Sequence, residues 1–98
     1  MGERIAAMFL TRHGLEIIGR NVEVGRGEID LLAMDRGRRV VVEVRATTAD
    51  RDPIDAIGPQ KRHRVTRLAG AVGAHRVDFL GVRIGSDDVV VHWVPGCG

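Results

Sequence analysis

Two apolar runs, residues 27–32 and 40–45, flank a short polar segment and together predict a β-hairpin. The polar segment, residues 35–38, contains a glycine, which supplies the positive φ that tight hairpin turns require. If the loop consists of the two central residues of that segment, each step outward moves one residue along both strands. This register places Asp30 directly opposite Glu43.

The two carboxylates lie in strands that are otherwise built to be buried. Directly opposed side chains have Cβ atoms about 5 Å apart, and like charges in that arrangement destabilise a sheet unless something neutralises them. A divalent cation would neutralise them, since Mg²⁺ often takes one or two protein carboxylates together with waters and substrate phosphate. The alternative is a pair of solvated acids balanced by nearby arginines.

The same register predicts which residues share a face with the acid pair. Alternation along the strands assigns Glu28 and Arg45 to that face, beside each other, and assigns Ile29 and Leu31 to the opposite face. The sequence thus predicts a cluster of three acids and one base. We expect Arg45 or Lys61 to hold a water molecule or a phosphate there.

Composition limits the possible functions of the chain. Ninety-eight residues, of which 44% are hydrophobic and 29% charged, suit one soluble domain spanning residues 1–98. Aromatic residues make up only 3%, which gives little support for a base-stacking platform. Nearly all the basic residues are arginine, which suits bidentate contacts with phosphate, although a bias toward arginine codons would produce the same excess.

The single cysteine, Cys97, excludes an internal disulfide and a cysteine-based metal site. No apolar stretch approaches the length of about 20 residues needed to cross a bilayer. We therefore expect a cytoplasmic protein without membrane contact.

The periodicity of apolar residues predicts a helix, three strands, a helix and two strands. The first helix is predicted at residues 3–13, and the five strands at residues 15–24, 27–32, 40–45, 76–84 and 89–94. A surface loop is predicted at residues 47–53, and the second helix begins at Pro59. The long second helix can return the fourth strand parallel to the sheet. This order predicts an α/β fold with a mixed sheet flanked by helices.

Helical spacing also places individual charges. On the second helix the apolar stripe that contains Val65 reaches Lys61 one turn earlier, whereas Arg64 and Arg67 are expected to point elsewhere. Glu3 lies in the first turn of the first helix, where it either favours the helix dipole or contributes to the site.

Several short segments together resemble the YraN family of bacterial proteins. These segments are Gly2-Glu3, Arg20-Asn21, residues 27–33, residues 42–45, Lys61 and residues 76–78. That family is similar to small members of the PD-(D/E)xK nuclease superfamily, and its core is similar to that of archaeal Holliday-junction resolvases. The resemblance implies a restriction-endonuclease-like αβββαβ core.

The resemblance also implies roles for individual residues. Asp30 and Glu43 would be ligands of Mg²⁺ or Mn²⁺, Glu3 a supporting acid, and Arg45 would stand at the lysine position of the Glu-x-Lys element. Because arginine does not lose its proton, Arg45 could act only as a fixed positive charge. Lys61, on the neighbouring helix, could substitute for the lysine.

Three hypotheses follow for the function. The leading one is a divalent-metal-dependent endonuclease-like protein that acts on DNA, with branched DNA among its candidate substrates and a homodimer as a reasonable assembly. The expected nucleic-acid contacts are Arg26, Arg45, Lys61 and Arg62. The second is a nucleic-acid-binding module without catalysis, and the third is a structural protein that self-associates through a sheet edge at residues 89–91. Asp78 is expected to be a hydrogen-bonded strand residue.

Overall fold

The computed structural model describes residues 1–48 and 53–96, and it confirms the predicted order of elements. The predicted loop at residues 47–53 lies partly, and Cys97 wholly, outside these ranges. The elements are α1 (Gly2–Arg12), β1 (Glu16–Val24), β2 (Gly27–Asp35), β3 (Arg38–Thr47), a 3₁₀ turn (Pro53–Ala56), α2 (Pro59–Ala71), β4 (Arg76–Ile84) and β5 (Val89–Val94).

The five strands form one mixed sheet in chain order, β1-β2-β3-β4-β5. Every neighbouring pair is antiparallel except β3 and β4, which are parallel. A parallel pair needs a long crossover, and α2 provides it between these two strands. The predicted α/β fold with a mixed sheet is therefore confirmed.

Each face of the sheet carries its own hydrophobic core. On one face Ala6, Ala7 and Leu10 of α1 are buried against the strands. On the other face Val65 and Ala69 of α2 are buried, together with apolar side chains of β2, β3 and β4. Neither helix in the described ranges is long and apolar enough to span a membrane.

The β2–β3 hairpin has the predicted turn and register. Asp35 pairs with Arg38, and the pairing continues in step through the rest of the ladder. The two loop residues, Arg36 and Gly37, both have positive φ, at 54° and 82°. This combination is characteristic of the type I′ turn, whose twist matches that of the strands it joins.

The ladder between β2 and β3 ends at the pair Leu31 and Val42, one step before the two acids. The predicted cross-strand pairing of Asp30 with Glu43 is therefore absent from the ladder. We call this point, where β2 separates from β3 between the pair Leu31–Val42 and the two acids, the strand fork. Beyond the fork β2 continues to pair with β1, as far as Val24 and Gly27.

The predicted alternation of faces along β2 is wrong at the fork. Ile29 packs in the α2-side core, whereas Leu31 packs in the α1-side core. Asn21 on β1 lies between the β1 residues that pair with Leu31 and Ile29, and it has φ of 49°, which L-residues other than Asn and Asp rarely adopt. The left-handed residue in β1 and the missing pairing between β2 and β3 together allow the β1–β2 pair to twist, so that Leu31 and Ile29 face opposite sides of the sheet.

The outer strands of the sheet are β1 and β5. Val89 and Val90 on β5 are 47% and 41% exposed, so the predicted edge at this position is present. Self-association through it stays a prediction.

Candidate functional site

The fork between β2 and β3 forms the floor of a cleft of about 610 Å³ on the α2 side of the sheet. One wall is the turn between β1 and β2, and the other is the first part of α2. The charged residues that line the cleft are Arg26, Glu28, Asp30, Glu43, Lys61, Arg64 and Arg67.

Asp30 closes the gap that the fork leaves in the backbone hydrogen bonding. Its Oδ2 accepts a hydrogen bond from the backbone N–H of Val44 at 2.8 Å. That N–H lies just past the last ladder pair, so the carboxylate replaces a strand carbonyl as its acceptor. Asp30 is thereby fixed at the point where the two strands separate.

Glu43 is the deepest charged residue of the cleft, at 3% exposure. Its Oε1 forms an ion pair with Lys61 Nζ at 2.6 Å. Its Oε2 is buried and has no hydrogen-bond partner among the described residues. A buried carboxylate oxygen without a hydrogen-bond partner lowers the stability of the fold, and such atoms are rare in native proteins. An ion or a water molecule would serve as the partner of this oxygen.

The protonation of Glu43 reflects this environment. Burial raises the pKa of Glu43, Lys61 opposes that effect, and the nearby Asp30 carboxylate raises the pKa further. The two carboxylates line the same cleft, although they are not a ladder pair.

These donors fit a hard divalent cation. Asp30 and Glu43 contribute carboxylate oxygens, and Oε2 of Glu43 is unpartnered and buried. Within residues 1–48 and 53–96, no group of three or more His, Cys, Asp or Glu side chains is arranged to hold a metal. An ion here would take its remaining ligands from water and a substrate phosphate, as Mg²⁺ commonly does.

The cation beside the acids is Lys61 rather than Arg45. Lys61 lies in the first turn of α2, and its side chain is 20% exposed where it contacts Glu43. Arg45 is exposed on β3 and does not line the cleft. The predicted pairing of Glu28 with Arg45 is wrong, because the strand pair has turned over before it reaches Glu28.

Glu28 instead lies toward α1, at the rim of the cleft. With its amide nitrogen facing the carboxylates, Asn21 donates to Glu28 Oε1 at 3.1 Å and to Glu3 Oε2 at 3.0 Å. Glu3 therefore reaches the site only through Asn21 and is not among the residues that line the cleft. The predicted single cluster of three acids, Glu28, Asp30 and Glu43, is divided between the floor and the rim.

The arginines are distributed differently from the prediction. Arg26 lines the cleft as expected, but the guanidinium of Arg62 lies over the ring of Phe79, with Cζ 5.2 Å from the ring centroid. Arg64 and Arg67, which were expected to point elsewhere, both line the cleft. Arg64 follows Lys61 by three residues, so helical spacing places it beside the lysine.

Asp78 belongs to the opposite face of the sheet. It is fully buried and accepts hydrogen bonds from Arg76, from Trp93 Nε1 at 3.0 Å and from the backbone N–H of Gly96 at 2.9 Å. The pKa of Arg76 is raised by its hydrogen bonds to Asp78 and, to a smaller extent, by its hydrogen bond to Asp35. The prediction of a hydrogen-bonded strand residue is confirmed.

Comparison with known proteins places most of the chain in one family. Residues 2–82 match the uncharacterised protein family UPF0102. A UPF0102 protein of Leifsonia xyli is 41% identical over 106 residues, which cover 97% of this chain and 90% of the relative. A UPF0102 protein of Caulobacter vibrioides is 36% identical over 94 residues, covering 96% of this chain and 74% of the relative.

Among solved structures, the crystal structure of SSO0001 superposes with a TM-score of 0.45 at 14% sequence identity. The superposition covers 94% of this chain and 50% of that chain. From the match of residues 2–82 to the family and the 41% identity over 90% of one member, we conclude that the chain belongs to the uncharacterised protein family UPF0102.

Proposed function

We propose that this protein is a divalent-metal-dependent endonuclease-like protein that hydrolyses DNA phosphodiesters in the cleft above the strand fork. The observation that carries the proposal is the unpartnered, buried Oε2 of Glu43 beside the carboxylate of Asp30. Two adjacent carboxylates in a half-enclosed site raise each other's energy, and they are retained where a cation is to be bound.

Asp30 and Glu43 would hold Mg²⁺ or Mn²⁺. When bound, the ion lowers the pKa of a coordinated water and offsets negative charge on the phosphodiester. Asp30 is oriented by the Val44 N–H, which leaves its position independent of flexible side chains. Lys61 keeps Glu43 oriented through their ion pair and contributes a positive charge for the attacking water or the scissile phosphate.

The walls of the cleft would hold the DNA backbone. Arg26 lies on the β1–β2 side, and Arg64 and Arg67 lie on the α2 side. Arginine binds phosphate oxygens in bidentate geometry, and cations on both sides of a groove attract a polyanion. The acids on the floor and the cations on the walls together support a phosphodiester substrate.

The superfamily assignment is part of this proposal. The resemblance to PD-(D/E)xK nucleases requires a cation near the second acid, and Lys61 contributes that cation from a helix instead of from β3. Arg45 lies outside the cleft and would contact DNA, if at all, beyond the reacting phosphate.

A cleavage assay tests the proposal. Purified protein is incubated with linear duplex and four-way-junction DNA in Mn²⁺, and Asp30→Asn is compared with Asp87→Asn, which makes the same change at an exposed turn. Loss of a residue that supports a metal ligand typically lowers metal affinity or activity by about 10–100-fold. Because Asp30 would itself be a ligand, we expect Asp30→Asn to reduce the cleavage rate by at least about a hundredfold. The Asp87→Asn variant should cleave like the wild type. Equal cleavage by the two variants would contradict the proposal.

A second candidate function is DNA binding without catalysis. It is favoured by the placement of Arg45 outside the cleft and by the ion pair that occupies Lys61. This function predicts DNA binding in the presence of a chelator, at an affinity that Asp30→Asn does not lower, and no cleavage in Mn²⁺. Phosphate neutralisation by the wall arginines would supply that affinity.

A further inference from the structure

A second cleft, of about 780 Å³, lies at the other end of the β2–β3 hairpin. It is on the α1 side of the sheet, and Asp35 at its rim is five positions beyond Asp30, or roughly 16 Å along the strand. Its polar and aromatic lining consists of His13, Asp35, Arg36, Arg38, Arg76 and Trp93. The proposed nuclease site uses none of these residues.

More positively charged than negatively charged side chains line this cleft. Asp35 is held by Arg76, whose Nη1 lies 2.7 Å from its Oδ2. Neither Arg36 nor Arg38 forms an ion pair with any described residue, and both are exposed. Arg76 is shared between Asp35 and the buried Asp78, so among the described residues that line this cleft Arg36 and Arg38 are the guanidinium groups without an ion-pair partner.

Arg76 is built into the floor of the cleft. Its Nε and Nη2 donate to the two oxygens of Asp78 at 2.9 and 3.0 Å, and its Nη1 donates to Asp35. A guanidinium has five N–H donors, so these three bonds leave two for a ligand. The side chain is 34% exposed, and a ligand in the cleft can reach it. A guanidinium fixed by a buried carboxylate is preorganised for an anion.

Trp93 and His13 provide fixed aromatic rings in the same cleft. The indole is anchored by its Nε1 to Asp78, and the imidazole Nδ1 lies 2.8 Å from the carbonyl oxygen of Phe9. The two rings contact each other edge to face, with centroids 5.7 Å apart. Planar rings beside cations are the combination that binds a base together with its phosphate.

The turn that presents Arg36 is strained. A type I′ turn favours Asn, Asp or Gly at its first loop position, yet this chain places arginine there at φ of 54°. Residues that keep an unfavourable backbone conformation are concentrated at ligand sites. The strain at Arg36 coincides with a cationic cleft.

From these observations we propose that this second cleft binds the phosphate group of a nucleotide, with the guanidinium groups of Arg36, Arg38 and Arg76 on the phosphate and Trp93 beside the base. The nucleotide is either free or the end of a nucleic-acid strand, since both carry the same chemistry. This site does not depend on the proposed nuclease activity.

The chain contains one tryptophan, so its fluorescence reports on this cleft. The wild type is titrated with adenosine 5′-monophosphate, with a 5′-phosphorylated single-stranded oligonucleotide, and with inorganic phosphate as a competitor. We expect a saturable change in Trp93 emission that inorganic phosphate reverses. A response to the mononucleotide assigns the site to free nucleotides, and a response to the oligonucleotide alone assigns it to strand ends.

The variant that tests the cations is the double substitution Arg36→Gly and Arg38→Gln. Glycine suits the positive φ of the turn, so the hairpin should remain folded. We expect the affinity to fall by about tenfold or more, because charge-assisted contacts to phosphate are lost. Arg4→Gln, on an exposed part of α1, should bind like the wild type.

Two results would overturn this inference. One is the absence of any saturable change at millimolar concentrations of mononucleotide or with the oligonucleotide, which would place the affinity below the useful range. The other is a saturable change that the double variant retains in full. Because this titration reads Trp93 emission and the nuclease proposal is tested by DNA cleavage, failure of one is distinguishable from failure of the other.

Discussion

At the scale of single residues, the site depends on a conflict between the burial of Glu43 and its charge. The chain retains a carboxylate at 3% exposure with one oxygen unpartnered, although an uncharged residue of similar shape would fit the core at lower cost. Lys61 offsets only part of this cost, because it reaches only one of the two oxygens. Such a conflict is expected where function, and not stability, selects the residue.

The pH dependence of stability tests this conflict. The pKa of Glu43 is raised above its ordinary value of 4.5, mainly by burial. Its protonated form is therefore favoured in the folded state, so the stability it contributes is complete below pH 4.5 and is lost as the pH rises through the raised pKa. We expect the free energy of unfolding of the wild type, relative to Glu43→Gln, to decrease as the pH is raised over this range without metal. Urea unfolding at a series of pH values measures it, and a relative stability that is constant or increases with pH would show that Glu43 is not destabilised by burial.

The sequence predicted the two acids but not all of their neighbours. Asp30 and Glu43 were identified because charged residues inside apolar runs are conspicuous and the glycine turn set their register. Arg64 was missed because a stripe of apolar residues indicates which helix face is buried and not how a neighbouring hairpin curves toward its flank. Arg45 was placed in the cleft by strand alternation alone, which does not predict where its long side chain ends.

At the scale of elements, β4 and β5 are joined by more than their ladder. Asp78, which is fully buried on β4, accepts hydrogen bonds from Trp93 on β5 and from Gly96 beyond it. It also binds Arg76 with both oxygens. One carboxylate thus connects the start of β4, the end of β5 and the residues that follow.

Replacing Asp78 tests this connection. We expect Asp78→Ala to lower the free energy of unfolding by about 3 kcal/mol, because several hydrogen-bond donors lose one buried, charged acceptor at once. Asp87→Ala, in the exposed turn between β4 and β5, should change it by no more than about 0.5 kcal/mol. Chemical denaturation of both variants gives the comparison. Similar stability of the two would mean that Asp78 does not hold these elements together.

Element boundaries were predicted closely, since turns and caps are encoded locally. Gly14 and Gly37, for example, have positive φ where the helix end and the hairpin required it. The fork at Leu31 was not predicted, because it depends on a left-handed Asn21 in a neighbouring strand and on side-chain packing against two separate cores. Periodicity assumes that a strand keeps its faces, and β2 does not.

At the scale of the whole molecule, a net charge of only +2 makes the distribution of charge more important than its total. Arg26, Arg64 and Arg67 lie around one cleft whose floor carries the acids. This arrangement would concentrate the attraction for a nucleic-acid backbone on the α2 side.

The salt dependence of DNA binding tests that distribution. With Arg26, Arg64 and Arg67 all replaced by glutamine, we expect the slope of log affinity against log salt concentration to decrease in magnitude by about two to three, because each lost phosphate contact removes about one released counterion. The matched control replaces Arg4, Arg12 and Arg20, which are exposed elsewhere. Fluorescence anisotropy with labelled DNA measures both slopes, and equal slopes would place the DNA on another surface.

The fork between β2 and β3 separates one end of the β1–β2 pair from the rest of the sheet. Beyond Leu31 the chain continues as a two-stranded ribbon of β1 and β2, and such ribbons twist more strongly than wide sheets. The ribbon forms one wall of the cleft and α2 forms the other. Under the proposed function, the length of the ribbon would therefore set the gap between the ribbon and α2, and a variant with a shortened ribbon would accommodate nucleic acid of a different thickness.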